Sequence, residues 1–411
     1  MSPARPANQP MPAAGPTPAA PDRPGEQVGS EAEARSTGQP RFGRVTVSTL
    51  GDLSGVAVGH WTDAEARTGV TVVILPEGST ASAEVRGGAP ATREFDVLAP
   101  SATVTRLDAV VLSGGSAFGL ASVDGVMSTL GEAGRGFVTA GGVVPIVAAM
   151  SLFDLTVGSP QVRPGAAEGA AAASAALAAL PAAAAALASL PGAAGDSTVG
   201  SVGSVGVGTG ATVSKWRGRD HAVSGGLVTA TVVEGGFSVT ALVAANAFGD
   251  VVGHGPAGEP WPSLVPPDEV GAFGADGTPA PNAADSVGQD AGGGRDSAVA
   301  DGRAASSGGT NTTLGLIVCD TALTKGECLL LAQGAHDGYA RAITPPHCRV
   351  DGDAVVAAAT GAVPLAALDD PRRVAEVELL RWMAVRATAD ALATLADVAP
   401  TGPLPWIDAS N

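Results

Sequence analysis

The chain has 411 residues and carries 40 acidic against 23 basic side chains, for a net charge of −17. No Lys/Arg block interrupts that excess, which argues against nucleic acid or an anionic membrane surface as a partner. Apolar residues make up 45% of the chain and aromatics only 3%, so a sizeable core has to be built from Val, Leu, Ala and Ile. The three cysteines, Cys319, Cys328 and Cys348, are odd in number and lack metal-ligand spacing, which fits a reducing compartment better than a disulfide framework. The first residues lack the apolar stretch of a secretory signal, and no later segment offers about eighteen uninterrupted apolar residues, so a soluble, cytoplasmic protein is expected.

In chain order, residues 1–42 are Pro/Ala-rich and polar. They cannot bury enough apolar area to offset the entropy of ordering and read as a disordered tail. Order begins near Arg44. RVTVSTL alternates as a strand does, GVAVGHWTDAEARTGVTVVILPEG reads as strand, turn, strand, and Ala83 to Gly88 continues the sheet. Asp108 to Ser113 is a short apolar run ending in Gly114-Gly115-Ser116, followed by AFGLASVDGVMSTLGEAG, whose apolar residues recur at helical spacing. Amides at such a helix start can hold an oxyanion or a substrate carboxylate. Equally, Gly114 and Gly115 can serve only to let backbone pack closely at the junction.

Residues 165–200 are dominated by alanine and predict a helix broken at Pro181 and Pro191, an insertion decorating the main fold. VGSVGVGTGATVSKWRG (202–218) is glycine-dense, and GGLVTATVVE with FSVTALVAANAFGDVV predicts two antiparallel strands. Residues 255–309 show neither helical nor strand periodicity and read as a disordered linker. TTLGLIVCD then resumes as a buried strand, LTKGECLLLAQGAHDGYARAI as a helix, DGDAVVAAATG as a strand and Pro371 to Ala396 as a long amphipathic helix. Strands and helices that come in clusters predict an α/β layered sandwich.

The most telling point is Asn311-Thr312-Thr313, where the long Gly/Ala/Asp/Pro tract meets the mouth of an apolar run. A flexible tract that delivers a hydroxyl residue to the start of a buried strand suits a hydrolase that frees its own N-terminal threonine. The Thr312 hydroxyl attacks the Asn311 carbonyl, the amide becomes an ester, and water releases a new amino terminus at Thr312. That α-amine, with a pKa near 8, can act at neutral pH as base for the hydroxyl on the same residue. An amide substrate then forms an acyl-Thr312 ester, as in the N-terminal-threonine variant of the catalytic triad.

LSGGSAFGLA, VGVGTGATVSK, LVAANAFGD, NTTLGLIVCDTALTK, AHDGYARAI and DGDAVVAAATG, in this order, resemble the motifs of the DmpA-type aminopeptidases and the related nylon-oligomer hydrolases. The likeness runs from about Leu50 to about Ala396, outside the Ala-rich insertion and the linker. It implies an αββα-type layered sandwich, a single domain made as one chain and self-cleaved between Asn311 and Thr312. The products would be a large fragment carrying 43–311 behind the tail and a small fragment, 312–411, that starts with the nucleophile.

The same resemblance implies site residues. Asn246 supplies an oxyanion-hole amide, a donor worth roughly 3 kcal/mol of barrier when well aimed. Lys215 stands beside the nucleophile, where its cation favours an uncharged terminal amine and a developing alkoxide; Ser214 before it occupies a place where glycine is expected. Asp351 and Asp353 orient the α-amine, and their spacing puts them on one face if the strand has begun. The serine-type relatives bring a tyrosine from the upstream piece, but the sole tyrosine here, Tyr339, lies downstream of the cut. A second oxyanion donor is therefore open, with the Gly114 and Gly115 amides as candidates. A Cys/His nucleophile at His347-Cys348 is disfavoured. The expected enzyme is an aminopeptidase-like amide hydrolase for short peptides or ω-amino-acid oligomers, with no cofactor and no metal, assembled as a homotetramer or higher oligomer. The alternatives are acyl transfer of the ornithine acetyltransferase type, which is cut in an Ala-Thr-Met-Leu-like context unlike Asn-Thr-Thr-Leu, and a non-catalytic scaffold that stays uncut.

Overall fold

The apolar runs pair into two sheets stacked face to face, and helices cover the outer face of each. The computed structural model describes residues 45–46, 53, 55–188, 202–253 and 311–407. The expected tail 1–42 and linker 255–309 lie outside the described residues, as does the end of the Ala-rich segment. Phe42–Asn411 forms one unit.

The first sheet has six strands, ordered Val45–Thr46, Gly226–Glu234, Phe237–Ala245, Leu314–Thr321, Ala354–Val363 and Thr80–Val85. Leu314–Thr321 runs parallel to Ala354–Val363, and the other neighbours are antiparallel. The second sheet is ordered Ala57–Asp63, Thr68–Ile74, Ala109–Ser113, Val147–Ser151 and Thr92–Arg93. Helices α1 (Ser122–Glu132) and α2 (Ala166–Ala188) cover the second sheet, whereas α3 (Lys325–Ala342) and α4 (Arg372–Ala393) cover the first. The result is an αββα sandwich with three apolar layers.

Strand periodicity explains why these runs are apolar throughout. In Leu314–Thr321, Leu314, Leu316 and Val318 point into the layer between the sheets, while Ile317 and Cys319 point toward α3 and α4. Val70, Val72 and Ile74 likewise face α1 and α2, while Val73 and Leu75 face the other sheet. A strand buried on both faces admits a polar side chain only where it finds a partner, as Thr71 does in His60 Nδ1 at 3.0 Å, and each buried Val or Leu contributes about 1.5–3 kcal/mol. Gly226–Glu234 and Phe237–Ala245 meet through Gly235 and Gly236, at φ +62° and +87°, a two-residue turn open to glycine at both positions. The start of α3 is fixed by a capping box between Thr324 and Glu327.

The Ala-rich segment corrects an expectation. Rather than breaking at Pro181, α2 continues to Ala188, and rather than decorating the fold it forms an outer layer with α1. Ala172, Ala173 and Ala176 are fully buried against the second sheet. Contact is made at the level of backbone: a Cβ on Gly59 would lie 2.4 Å from the Ala176 nitrogen, and one on Gly125 1.8 Å from the Ala166 oxygen. Small residues on both sides are what such an approach demands. About four helical turns precede Pro181, and packing along them holds the helix through the loss of one hydrogen bond.

Candidate active site

Three segments converge on the Asn311–Thr312 peptide: the end of the Phe237–Ala245 strand at Asn246, the turn at Thr212–Lys215, and the stretch from His347 to Ala354. Thr312 is 3% exposed, and Asn246, Asp351 and Asp353 are buried around it. The Thr312 hydroxyl donates to the Asn311 carbonyl oxygen. The Thr312 amide donates to the Asn246 carbonyl at 2.9 Å, and the Gly352 amide donates to the Asn311 carbonyl at 3.2 Å. The Asn311 carbonyl thus has a hydroxyl beside it and a backbone N–H polarising it. Gly352 has to be glycine, because a Cβ there would lie 2.6 Å from Thr312 Oγ1 and 2.7 Å from the Ala89 oxygen.

Asn246 is held on both ends of its amide. Its Oδ1 accepts from the Thr212 amide and from Lys215 Nζ, both at 2.9 Å, and its Nδ2 donates to the Phe153 carbonyl at 3.1 Å. Backbone N–H and ammonium can only donate, so this network settles which end is oxygen. The second N–H of Nδ2 has no hydrogen bond among the described residues. Lys215 Nζ also donates to the Asn246 carbonyl at 3.2 Å, the same oxygen that receives the Thr312 amide. The ammonium therefore lies one shared acceptor away from the nitrogen that cleavage would free. Burial brings the Lys215 pKa down to about 7, against an opposing pull from Asp351, Asp154 and Asp353.

The two acids of DGD hold backbone. Asp351 Oδ1 accepts from the Phe248 amide at 3.1 Å and Oδ2 from the Cys348 amide at 2.9 Å. Burial and the neighbouring Asp353 push the Asp351 carboxyl upward. Asp353 Oδ1 accepts from the Thr313 amide at 2.8 Å, and Oδ2 pairs with His347 Nδ1 at 2.8 Å. Asp353 thereby fixes Thr313, the residue after Thr312. His347 takes the left-handed conformation at φ 53°, an uncommon one for a side-chain-bearing residue, which marks the loop as constrained. The Cys348 thiol is pushed up to about 12 by burial and by Asp351 and Asp353, which leaves no thiolate for a Cys/His nucleophile.

Gly114 and Gly115 require a correction. Their amides are already bonded, Gly114 to the Gly69 carbonyl at 2.8 Å and Gly115 to Asp154 Oδ1 at 2.7 Å. A Cβ on Gly114 would lie 2.1 Å from Asp154 Oδ2. The glycines serve close packing, and the N–H that meets the Asn311 carbonyl is that of Gly352. Tyr339 is fully buried in the layer under α3 and α4, with its hydroxyl against Gly315.

Asp154 was not singled out in the sequence, and no spacing marks it. It accepts from Thr68 Oγ1 at 2.7 Å as well as from Gly115, and burial raises its pKa to about 6. Because the folded pKa lies above the unfolded value of about 3.9, stability from this group is present at low pH and declines as pH rises between about 4 and 6. Asp154→Asn keeps the acceptor for Gly115 and cannot ionise. It is expected to raise Tm at pH 8 and to leave it nearly unchanged at pH 4, as scanning calorimetry at the two pH values can check. An equal change at both would remove the titration of Asp154 as the cause.

Ser214 sits at φ 66°, ψ 23°, so the position where glycine was expected does adopt the glycine conformation. Its Oγ is buried with no hydrogen-bond partner among the described residues. Left-handed backbone costs a side-chain-bearing residue about 1–2 kcal/mol, and glycine's added unfolded-state freedom returns about 0.5–1 kcal/mol. Ser214→Gly is expected to stabilise the fold by about 1 kcal/mol in urea unfolding, and a loss would contradict that reading.

A hydroxyl against a carbonyl, with amide donors and a depressed lysine close by, defines a site of the acyl-transfer class inside an αββα sandwich. The model of peptidase family S58 matches residues 48–399. An uncharacterised aminopeptidase of Mycobacterium leprae is 38% identical over 340 residues, covering 79% of this chain and 82% of the relative. An uncharacterised aminopeptidase of Mycobacterium tuberculosis is 38% identical over 326 residues, covering 77% and 83%. Among solved structures, a β-aminopeptidase from Burkholderia sp. superposes with a TM-score of 0.53 at 21% identity, covering 88% of this chain and 89% of its own. The L-aminopeptidase D-Ala-esterase/amidase of Ochrobactrum anthropi, described as a variant of the Ntn hydrolase fold, gives a TM-score of 0.55 at 17% identity, covering 88% and 89%. The chain belongs to peptidase family S58 and is a hydrolase of peptide bonds. No helix among the described residues is long and apolar enough to cross a membrane.

Proposed function

We propose that this chain is a self-processing aminopeptidase that cuts its own Asn311–Thr312 bond and then uses Thr312 as an N-terminal nucleophile. The observation that carries the reading is the Thr312 environment: hydroxyl on the Asn311 carbonyl, amide on Asn246, and the Gly352 N–H on the bond to be broken. Cleavage turns the Thr312 amide into an α-amine beside Lys215, the base for the same residue's hydroxyl. Asn246 Nδ2 and the Gly352 N–H stabilise the tetrahedral oxyanion, Lys215 disfavours a protonated amine, and Asp351 and Asp353 hold the backbone on either side of the nucleophile. The names of the relatives support the N-terminal residue of a peptide as the acyl group, and the motif resemblance to nylon-oligomer hydrolases adds ω-amino-acid oligomers as further proposed substrates. We place the enzyme in the cytoplasm, in keeping with three unpaired thiols, as a homo-oligomer of cleaved heterodimers. Intact-mass analysis of purified protein should find a species beginning Thr-Thr-Leu-Gly. An active preparation with an unbroken backbone would sink the proposal.

A further inference from the structure

Once the Asn311–Thr312 bond is cut, the new terminus has few ties. Leu314 is the first residue of its strand, paired with Ala244 on one side and Ala354 on the other, so Thr312 and Thr313 extend beyond the ladder. The Gly352 N–H holds the Asn311 carbonyl, which is then no longer joined to Thr312. The ties that persist among the described residues are the Thr312 nitrogen on the Asn246 carbonyl and the two bonds of Thr313. The Thr313 N–H donates to Asp353 Oδ1 at 2.8 Å, and its carbonyl accepts from the Ala354 amide at 3.2 Å.

The hold on Thr313 is therefore only as firm as the hold on the Asp353 carboxylate. Both hydrogen bonds that Asp353 Oδ2 accepts among the described residues come from His347, from its backbone N–H at 3.2 Å and from ring Nδ1 at 2.8 Å. A carboxylate can only accept, so Nδ1 carries the hydrogen. The ring is itself clamped. Its Nε2 lies 3.3 Å from the His336 carbonyl in α3, and the rings of His336 and Tyr339 stand 4.9 and 6.0 Å away, centroid to centroid. The left-handed φ of 53° at His347 is a cost that the surrounding contacts have to offset.

The geometry points to His347 as a positioning residue for the nucleophile. Anchored on α3, it locks the Asp353 carboxylate, and Asp353 fixes Thr313 and with it the direction of the Thr312 hydroxyl and amine. This role rests on Thr312 being the nucleophile. No hydrogen bond among the described residues joins His347 to Thr312 or to the Asn311 carbonyl, so its loss slows the attack of Oγ1 on a bound acyl group and leaves substrate binding in place. Misplacing a reacting group by about 1 Å can cost about 10²-fold in rate.

Three substitutions separate the ring's hydrogen bond from its bulk. Glycine keeps the left-handed backbone and its N–H but removes the ring. Asparagine also tolerates that conformation and places Nδ2 where Nδ1 stands, one bond from Cγ. Aspartate has the outline of asparagine with no N–H to give. Self-processing is followed on gels and hydrolysis of aminoacyl p-nitroanilides is measured per processed chain. His347→Gly and His347→Asp are expected to lower kcat by about 10–100-fold with KM little changed, and His347→Asn to recover most of that loss. A glycine or aspartate variant as fast as the unaltered enzyme, or an asparagine variant as slow as the glycine one, overturns the inference. A second measurement needs no turnover: in the uncut Thr312→Ala chain, hydrogen exchange at the Thr313 amide is expected to quicken at least about tenfold with His347→Gly and to stay unchanged with His347→Asn. Leu316 and Val318 in the same strand are expected to keep their protection. Exchange at Thr313 that is unchanged, or that rises only together with Leu316 and Val318, overturns the inference, the latter by leaving His347 as no more than a support of the fold. Faster exchange at Thr313 alone, in a protein whose unaltered form is never cut, supports the tie through Asp353 and counts against the proposed function, so the two fail separately.

Discussion

Thr312→Ala is expected to yield a single chain of 411 residues, where the unaltered protein yields fragments ending at Asn311 and beginning at Thr312. Alanine removes the only hydroxyl bonded to the Asn311 carbonyl among the described residues, while the Gly352 donor and the amide bond to Asn246 stay in place. The carbonyl remains polarised with nothing to attack it. Without the cut no α-amine appears, so nucleophile and base are lost together, and hydrolysis of aminoacyl anilides should fall by at least about 10⁴-fold. Gel electrophoresis and anilide assays on the same preparation read both effects. Thr312→Ser supplies a hydroxyl at the same place and should restore cutting, which separates loss of chemistry from loss of fold. An uncut unaltered protein would instead favour the non-catalytic scaffold.

The second large effect is expected at Lys215. Its Nζ bonds Asn246 through both oxygens, one of which also receives the Thr312 nitrogen. A cation so placed holds the freed amine below the usual value near 8 and stabilises negative charge on oxygen. In Lys215→Met, kcat/KM is expected to fall by about 10²–10⁴, the span of one such group. The pH profile carries the sign. The acid limb, set by the Thr312 amine, should move upward toward pH 8 when the cation is removed. The alkaline limb should disappear, because in the unaltered enzyme Lys215, with a pKa of about 7, loses its charge as pH rises through that value. Circular dichroism of the variant guards against misfolding. An unshifted acid limb would exclude electrostatic control of the amine by Lys215.

Much of the site was legible because its residues sit in local patterns. Thr312 is marked by the change from a Gly/Asp/Pro tract to a strand doubly buried in Leu, Ile and Val. Asn246 and Lys215 lie at strand ends within recognisable motifs, and the DGD spacing announced a paired carboxylate. The structure brings all of these to one peptide bond. The Asp residues, however, bind backbone amides of residues 248, 313 and 348, contacts that spacing cannot express.

The sequence by itself determined the two-faced strands, the Gly-Gly hairpin and the hydroxyl at the strand mouth, since periodicity and turn chemistry are local properties of neighbouring residues. Only the tertiary structure decided what the glycines and alanines are for. Gly114 and Gly115 look like an anion nest until Gly69 and Asp154 occupy their amides, while Gly352, unremarked between two acids, carries the N–H that reaches the Asn311 carbonyl. The alanine run looks like padding until α2 is seen to lie with its backbone against Gly59 and Gly125. A small residue records how near something comes but not what, and the partner is a segment distant in the chain.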